Sequence, residues 1–386
     1  MKGMTGSQPT MIYLDHNATA PLSPAAREAM LALLADGVGN PSSAHAAGRR
    51  ARAALEQARR TVADVLGVPP ASLCFTSGAT EANNLALLGA LPDPAGAHLV
   101  ATPIEHASVL GPLRELERRG ARVSWLPVDS AGRVTADDVA AALRLETALV
   151  SVGWANGEIG TLQPIAAIAA TCRARGVLLH VDAAQALGRV PVDANAVDLC
   201  TISSHKLGGP LGIGALAIRR GLALRPLMWG GEQERGVRPG TENAAAAAGF
   251  AAAVSGLPSL AGLAPLRERL WDAIAPLGGI RRHGPTGDGL PNTLTIGIDG
   301  LTGEAVVAAL DLEGVAASVG SACAAGSGEP SYVLRAIGCD AAAARAGVRC
   351  SLGATTTAAE VDAAAAALRR VVARARGVRA RRAVAG

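Results

Sequence analysis

Aromatic side chains are scarce in this chain: phenylalanine, tyrosine and tryptophan together make up 2% of its 386 residues. A core with so few large rings must be filled by aliphatic side chains and alanine, which lets helices approach one another closely. Long apolar runs are also missing. No stretch of 18 apolar residues lacks charge or turn signals, and no positively charged N-terminal segment leads into an apolar one, so the expectation is a soluble cytoplasmic protein. Cysteine occurs six times, at Cys74, Cys172, Cys200, Cys323, Cys339 and Cys350, without a C-x-x-C pair or metal-ligand spacing to histidine. That pattern argues against structural zinc and against a disulfide scaffold, and no metal site is expected. Charge of one sign is not in excess either: the net charge of +4 is small for this length and does not call for nucleic acid. The stretch from Arg369 to Arg382 holds seven arginines. It reads as a solvated helix end running into a frayed terminus, with an acidic partner as the alternative.

What is present is a chain 49% hydrophobic and long enough for roughly two domains. From about residue 60 to 220, β-type runs ("HLVAT", "ARVSWLPV", "TALVSVGW", "VLLHVDAA", "DLCTISS", "GALAIRR") alternate with helix-type runs. Such alternation predicts a mostly parallel sheet covered by helices. In sheets of that kind ligands bind beyond the carboxyl ends of the strands, which directs attention to the turns after them. Past residue 255 the pattern changes: an amphipathic stretch from Leu260 to Ile274, then "NTLTIGI", a helix near Val306, "GVRCSL" and an alanine-rich helix from Ala358 to Arg376. This predicts a smaller α+β domain.

Those turns carry polar groups unusual in so apolar a protein. "TSGATEANN" follows an apolar run and opens a helix, so the backbone N–H groups near Gly78, Ala79 and Thr80 could bind an anion, or the turn could be an ordinary helix cap. It is neither a P-loop nor a Rossmann fingerprint. "VLLHVDAAQALG" ends a strand on Asp182, and a carboxylate there must be paired, capping or functional. "SSHKLGGP" sets Ser203, Ser204, His205 and Lys206 after the next strand. A lysine, a strand-end acid and an anion-binding helix start are together what pyridoxal phosphate requires: a Schiff-base amine, a partner for the protonated ring nitrogen, and a phosphate cradle.

In order, "YLDHNATAP", "GNPSSAHAAGR", "FTSGATEANN", "IEHASV", "WANGEIGTLQP", "HVDAAQALG", "SSHKLGGPLGIGAL", "GGEQERGVRPGTEN", "GSACAAGS" and "VRCSLGATTT" resemble the cysteine desulfurases, class-V aminotransferase relatives of fold type I, over about residues 11 to 370. The resemblance implies an α/β fold with a large domain (16–257) built on a mostly parallel seven-stranded sheet. A small α+β domain (1–15 and 258–386) would carry the catalytic cysteine. It implies pyridoxal phosphate bound to Lys206, with His106 stacked on its ring and Asp182 on the ring nitrogen. Gln185 and Asn156 would lie near the ring hydroxyl and the substrate. Ala79, Thr80, Ser203 and His205 would hold the phosphate, and Thr241 would reach the phosphate of a partner subunit, implying a homodimer with composite sites. Arg349 would clamp the carboxylate of the L-cysteine substrate.

The resemblance makes Cys323 the nucleophile that accepts sulfur as a persulfide and passes it to an acceptor or scaffold protein, with iron–sulfur cluster assembly the leading destination. Cys323 could transiently ligate such a cluster. Its setting, "GSACAAGSGEP", suits a thiol that swings in to attack and out to deliver. The chain departs from the family at His16, where an asparagine is usual, and at Gly157, where a second asparagine is usual. The rival readings are a selenocysteine lyase or an aminotransferase of the same fold, and a sulfur-carrier or scaffold protein.

Overall fold

Leu73–Thr76, His98–Ala101, Thr147–Ser151, Leu178–Asp182, Leu199–Ser203 and Gly214–Ile218 are short runs dominated by aliphatic residues and buried almost throughout. Near-continuous apolar strands are what a sheet covered on both faces demands. The computed structural model describes residues 11–35, 39–258, 260, 262–320 and 329–385, with backbone alone over 378–385. Two compact units emerge: one of 19–156 and 161–258, the other of 1–18, 157–160 and 259–386.

In the first unit seven strands form one sheet in the order Leu73–Thr76, Gly214–Ile218, Leu199–Ser203, Leu178–Asp182, Thr147–Ser151, His98–Ala101, Arg122–Trp125. Neighbours pair in parallel except for Gly214–Ile218, which runs antiparallel to both of the strands beside it. The connection from Ser203 to Gly214 is too short for a helical crossover, so the chain has to turn back on itself there. The other six strands therefore point the same way, and their carboxyl ends share one edge. Helix Ala79–Ala90 covers the strands Leu199–Ser203 and Gly214–Ile218, while Pro24–Ala35 and Ala46–Leu66 pack on the alanine-rich helix Ala244–Ser255.

The second unit has an antiparallel sheet in the order Gly347–Ser351, Thr293–Ile298, Ile280–His283, and a parallel pair of Ile12–Tyr13 with Val315–Ala316. Its core joins Leu270, Ile274, Ile296, Val306, Val348 and Leu368, all almost fully buried. The last helix, Ala358–Ala385, runs on through the arginine-rich stretch instead of fraying before it. Arg369 donates to the Ala273 carbonyl, Arg370 and Arg374 pair with Glu313, and Arg376 caps the Leu277 and Gly278 carbonyls. Four of the arginines expected to be solvated therefore fasten the helix to its own unit, although exposed pairs of this kind contribute only ~0–1 kcal/mol each.

Candidate active site

The shared strand edge gathers most of the residues singled out from the sequence. Ala79 and Thr80 open the helix after Leu73–Thr76, His106 follows His98–Ala101, and Asn156 follows Thr147–Ser151. Asp182 ends its strand with Gln185 just beyond, and Ser203, His205 and Lys206 come at and after the end of the next strand. Thr241 lines a cavity of about 210 Å³ together with Thr76 and Ser77, the residues at the end of Leu73–Thr76.

A chain of hydrogen bonds ties two of these residues together. Asn83 Nδ2 donates to Asp182 Oδ2 at 2.8 Å and to Ser108 Oγ at 2.8 Å. Ser108 Oγ lies 2.7 Å from His106 Nδ1, which also accepts from the Ser108 backbone N–H at 3.1 Å. A ring nitrogen that accepts from a backbone N–H carries no proton, so neutral His106 keeps its proton on Nε2. His106 is at once the N-cap of helix Ala107–Arg118 and a buried imidazole. Burial lowers its pKa, Asp182 nearby opposes that shift, and Lys206 adds to it, so both charges lie within electrostatic reach of the ring. The Asp182 carboxylate also accepts from the Ala184 N–H at 2.9 Å.

Behind this row stands a second one that the sequence did not single out. His180 is fully buried, its Nδ1 2.9 Å from Ser151 Oγ and its Nε2 3.2 Å from Asn83 Oδ1, and burial pushes its pKa down to about 4. Glu105, next to His106, is buried as well: Oε1 accepts from Thr102 Oγ1 at 2.6 Å and from the Gly153 N–H at 2.9 Å. Burial raises its pKa to about 7, and Asp182 adds to the rise. Asn83 could have been suspected from its place one turn into a helix that opens on the anion-binding start, whereas nothing local marks Glu105 or Ser108.

The remaining predicted residues are placed as follows. Asn156 donates from Nδ2 to the Ile104 carbonyl at 2.9 Å, and the Gln185 carbonyl accepts from Arg189 Nη1 at 3.0 Å. His205 Nδ1 lies 3.1 Å from Thr19 Oγ1, and burial followed by the charges of Lys206 and Arg189 lowers its pKa to about 4. A neutral His205 can donate to a phosphate but adds no charge to the site. Lys206 sits in the turn Ser204–Leu207. It had a plainer signal than its motif: of the 36 basic residues only two are lysines, Lys2 and Lys206.

Arg349 belongs to the second unit. Its Nη2 donates to Asp15 Oδ1 at 2.8 Å and its Nη1 to the Gly157 carbonyl at 3.1 Å, while Nε is buried without a hydrogen-bond partner. The Gly157 carbonyl also accepts from Asn17 Nδ2 at 2.9 Å. His16, the other departure, is buried edge-on to Tyr13 with ring centroids 5.0 Å apart. It fits because Gly353 has no Cβ, which would collide with the imidazole. Cys323 lies outside the described residues. Cys74, Cys172, Cys200 and Cys350 are buried thiols whose pKa values are pushed up by burial, to about 12 for the last three, and partial burial raises Cys339 too. None of these five sits in an activating environment. Cys350 packs in the core and does not act as a reactive neighbour of Arg349.

The profile of the Aminotransferase class-V family matches residues 12–364. The chain belongs to the class-V aminotransferases. Within that family it is 43% identical over 383 residues to the IscS-like cysteine desulfurase of Mycobacterium tuberculosis, covering 95% of this chain and 97% of that one. It is 43% identical over 361 residues to a cysteine desulfurase of Cereibacter sphaeroides, covering 91% and 93%. Among solved structures, a NifS-like protein superposes with a TM-score of 0.88 at 34% identity, covering 94% of this chain and 99% of that one. SspA in complex with cysteine superposes with a TM-score of 0.80 at 35% identity, covering 88% and 98%.

A class-V aminotransferase of this kind depends on pyridoxal phosphate, and the strand edge fits that group. Helix Ala79–Ala90 starts at Gly78 with no side chain capping it, which leaves backbone N–H donors for a phosphate. Thr80, Ser203 and His205 add side-chain donors on the same edge. Asp182, held by an amide and a backbone N–H, suits a protonated ring nitrogen, and Lys206 supplies the amine.

Proposed function

We infer that this chain is a pyridoxal-phosphate-dependent cysteine desulfurase that takes sulfur from L-cysteine, releases L-alanine and holds the sulfur as a persulfide on Cys323. The observation that carries the reading is the hydrogen-bonded chain from Asp182 through Asn83 and Ser108 to His106, at strand ends beside an uncapped helix start. The cofactor, when bound, supplies an electron sink for the substrate's carbon skeleton. Everything else falls to the chain. Lys206 would anchor the cofactor and move protons at the substrate carbons, and Asp182 would keep the ring nitrogen protonated. His106, neutral and with a fixed tautomer, would lie against the ring with Nε2–H available. Asn156 and Gln185 orient the ring hydroxyl and the substrate, and Arg349 binds its carboxylate. The Cys323 thiolate then attacks the substrate sulfur: the S–S bond forms as the C–S bond breaks, its electron pair stays on carbon, and a proton completes alanine.

The same proposal makes the enzyme a homodimer in which Thr241 of the partner subunit reaches the phosphate. It places the enzyme in the cytoplasm, where free thiols and a persulfide persist. The acceptor is a sulfur-carrier or scaffold protein, with iron–sulfur cluster assembly its destination.

An absorption spectrum with and without L-cysteine tests the reading, together with alanine release. The wild type with pyridoxal phosphate is expected to show a visible band, and borohydride reduction to yield one pyridoxyl-peptide, containing Lys206. Lys206→Ala loses the band; Cys323→Ala keeps it but forms neither persulfide nor alanine. Alanine formation undiminished in Cys323→Ala would favour the selenocysteine lyase reading, and conversion of L-cysteine to its 2-oxo acid without alanine the aminotransferase reading. A wild type that binds the cofactor without turnover would favour the scaffold reading.

A further inference from the structure

In the second unit the chain after strand Ile12–Tyr13 runs beside the strand that carries Arg349. Asp15 stands opposite Ser351 in a parallel bridge. The Ser351 N–H donates to the Leu14 carbonyl at 2.7 Å, and the His16 N–H donates to the Ser351 carbonyl at 3.1 Å. Arg349 is held from both sides: it pairs with Thr295 in the antiparallel sheet and exchanges backbone hydrogen bonds of 2.7 and 3.1 Å with Ser318. Arg349 and Ser351 alternate with Cys350 along the strand, so their side chains share a face. From its place opposite Ser351, the Asp15 side chain can therefore reach back to the guanidinium.

Arg349 is 4% exposed, and a charge with so little water around it needs fixed acceptors. Nη1 donates to the Gly157 carbonyl at 3.1 Å and Nη2 to Asp15 Oδ1 at 2.8 Å. Nε is buried. A ligand's carboxylate can therefore meet only the terminal nitrogens, each of which gives one N–H to the chain and keeps another. We propose that Asp15 is a positioning residue for Arg349: by holding Nη2 it aims the remaining N–H pair of the guanidinium at the substrate carboxylate. The proposal rests on the reading of Arg349 as the carboxylate clamp. A bidentate clamp works only while the plane of the fork is fixed. Gly157 alone fixes one nitrogen and leaves that plane free to turn about it; Asp15 supplies the second point. The fork needs an acceptor from Asp15, whereas the negative charge competes with that of the substrate. An asparagine oxygen can therefore take its place.

The test reads binding apart from turnover, as the shift of the visible cofactor band on titration with L-alanine and, separately, with ethylamine, which is L-alanine without its carboxylate. Asp15→Ala is expected to weaken L-alanine binding about tenfold, the size expected from losing one hydrogen bond to a charged group, and to leave ethylamine binding within about twofold of wild type. The KM for L-cysteine should rise with the loss of L-alanine affinity, while kcat changes by less than about threefold. Asp15→Asn should bind L-alanine at least as tightly as wild type. A loss shared equally by L-alanine and ethylamine would give Asp15 a merely structural role and overturn the proposal. So would Asp15→Ala matching wild type for L-alanine, or Asp15→Asn as impaired as Asp15→Ala. Should Asp15→Ala fail to fold, Asp15→Ser, whose hydroxyl is too short to reach Nη2, is read in the same way. Arg349→Ala separates the two readings. If it binds L-alanine like wild type, Arg349 is no carboxylate clamp and the proposal falls with that reading; if it is impaired while Asp15→Ala is not, the proposal falls alone.

Discussion

Asn83 and Asp182 are joined by a 2.8 Å hydrogen bond, and the same amide nitrogen reaches Ser108 Oγ, which meets His106 Nδ1. One fully buried asparagine thus orients Asp182, the acid proposed for the cofactor nitrogen, and, through Ser108, His106, the ring proposed to stack on the cofactor. Removing it loosens both.

Asn83→Ala is expected to lower kcat by tenfold or more, since a hydrogen bond to a charged group is worth ~1.5–3 kcal/mol. It should also shift the visible cofactor band. A variant with normal turnover and an unmoved band would show that Asp182 and His106 hold their positions without it.

Glu105 sets a pH dependence whose sign can be worked out. Its pKa is about 7 in the folded protein against an ordinary value of 4.5, so between those values the folded chain keeps a proton that the unfolded chain has released. The stability contributed by the protonated acid is full below about 4.5 and is lost as the pH rises through about 7. Glutamine keeps the acceptor for Thr102 and Gly153 but does not titrate. Glu105→Gln should therefore gain on wild type in urea unfolding as the pH climbs from 5 to 8. A gap that stays flat across that range would place the Glu105 pKa near its ordinary value.

Arg59 and Glu234 form a buried pair, their side chains 4% and 1% exposed, with Arg59 Nη1 2.6 Å from Glu234 Oε2. Arg59 also donates to the Leu73 carbonyl, and Glu234 accepts from the Phe75 N–H, so the pair holds at two points the strand that leads into the helix start at Ala79. Glu234→Ala leaves the buried guanidinium with Glu56 as its remaining counter-ion, 3.2 Å from Nε and partly exposed, and should cost ~1–3 kcal/mol. The double variant Arg59→Met with Glu234→Leu should recover part of that loss in thermal unfolding. A single variant as stable as wild type would mean that water reaches Arg59.

Much of the large unit's layout could be read locally. Strands and helices declare themselves by short-range periodicity, so the parallel sheet and the turns carrying Asp182 and Lys206 were visible as the ends of apolar runs. The reversed direction of Gly214–Ile218 shows only in its short connection from Ser203, because a strand's hydrophobic pattern is the same whichever way it runs. Motifs fared well for residues that meet a ligand, since such groups cluster after strands. They said nothing of Asn83, Ser108 and Glu105, which act on other residues.

The sequence by itself determined the chemistry on offer: one internal lysine, an acid at a strand end, a Ser-Gly turn opening a helix, and a cysteine among small residues. Only the tertiary structure decided which groups meet. Asn83 reaches Asp182 across 99 positions and Glu158 reaches Ser331 across 173. Contacts of that span depend on how strands are ordered in a sheet and on where 157–160 departs from its neighbours. No local pattern records them, because burial and hydrogen bonding are satisfied by the whole fold and not by the residues next in line.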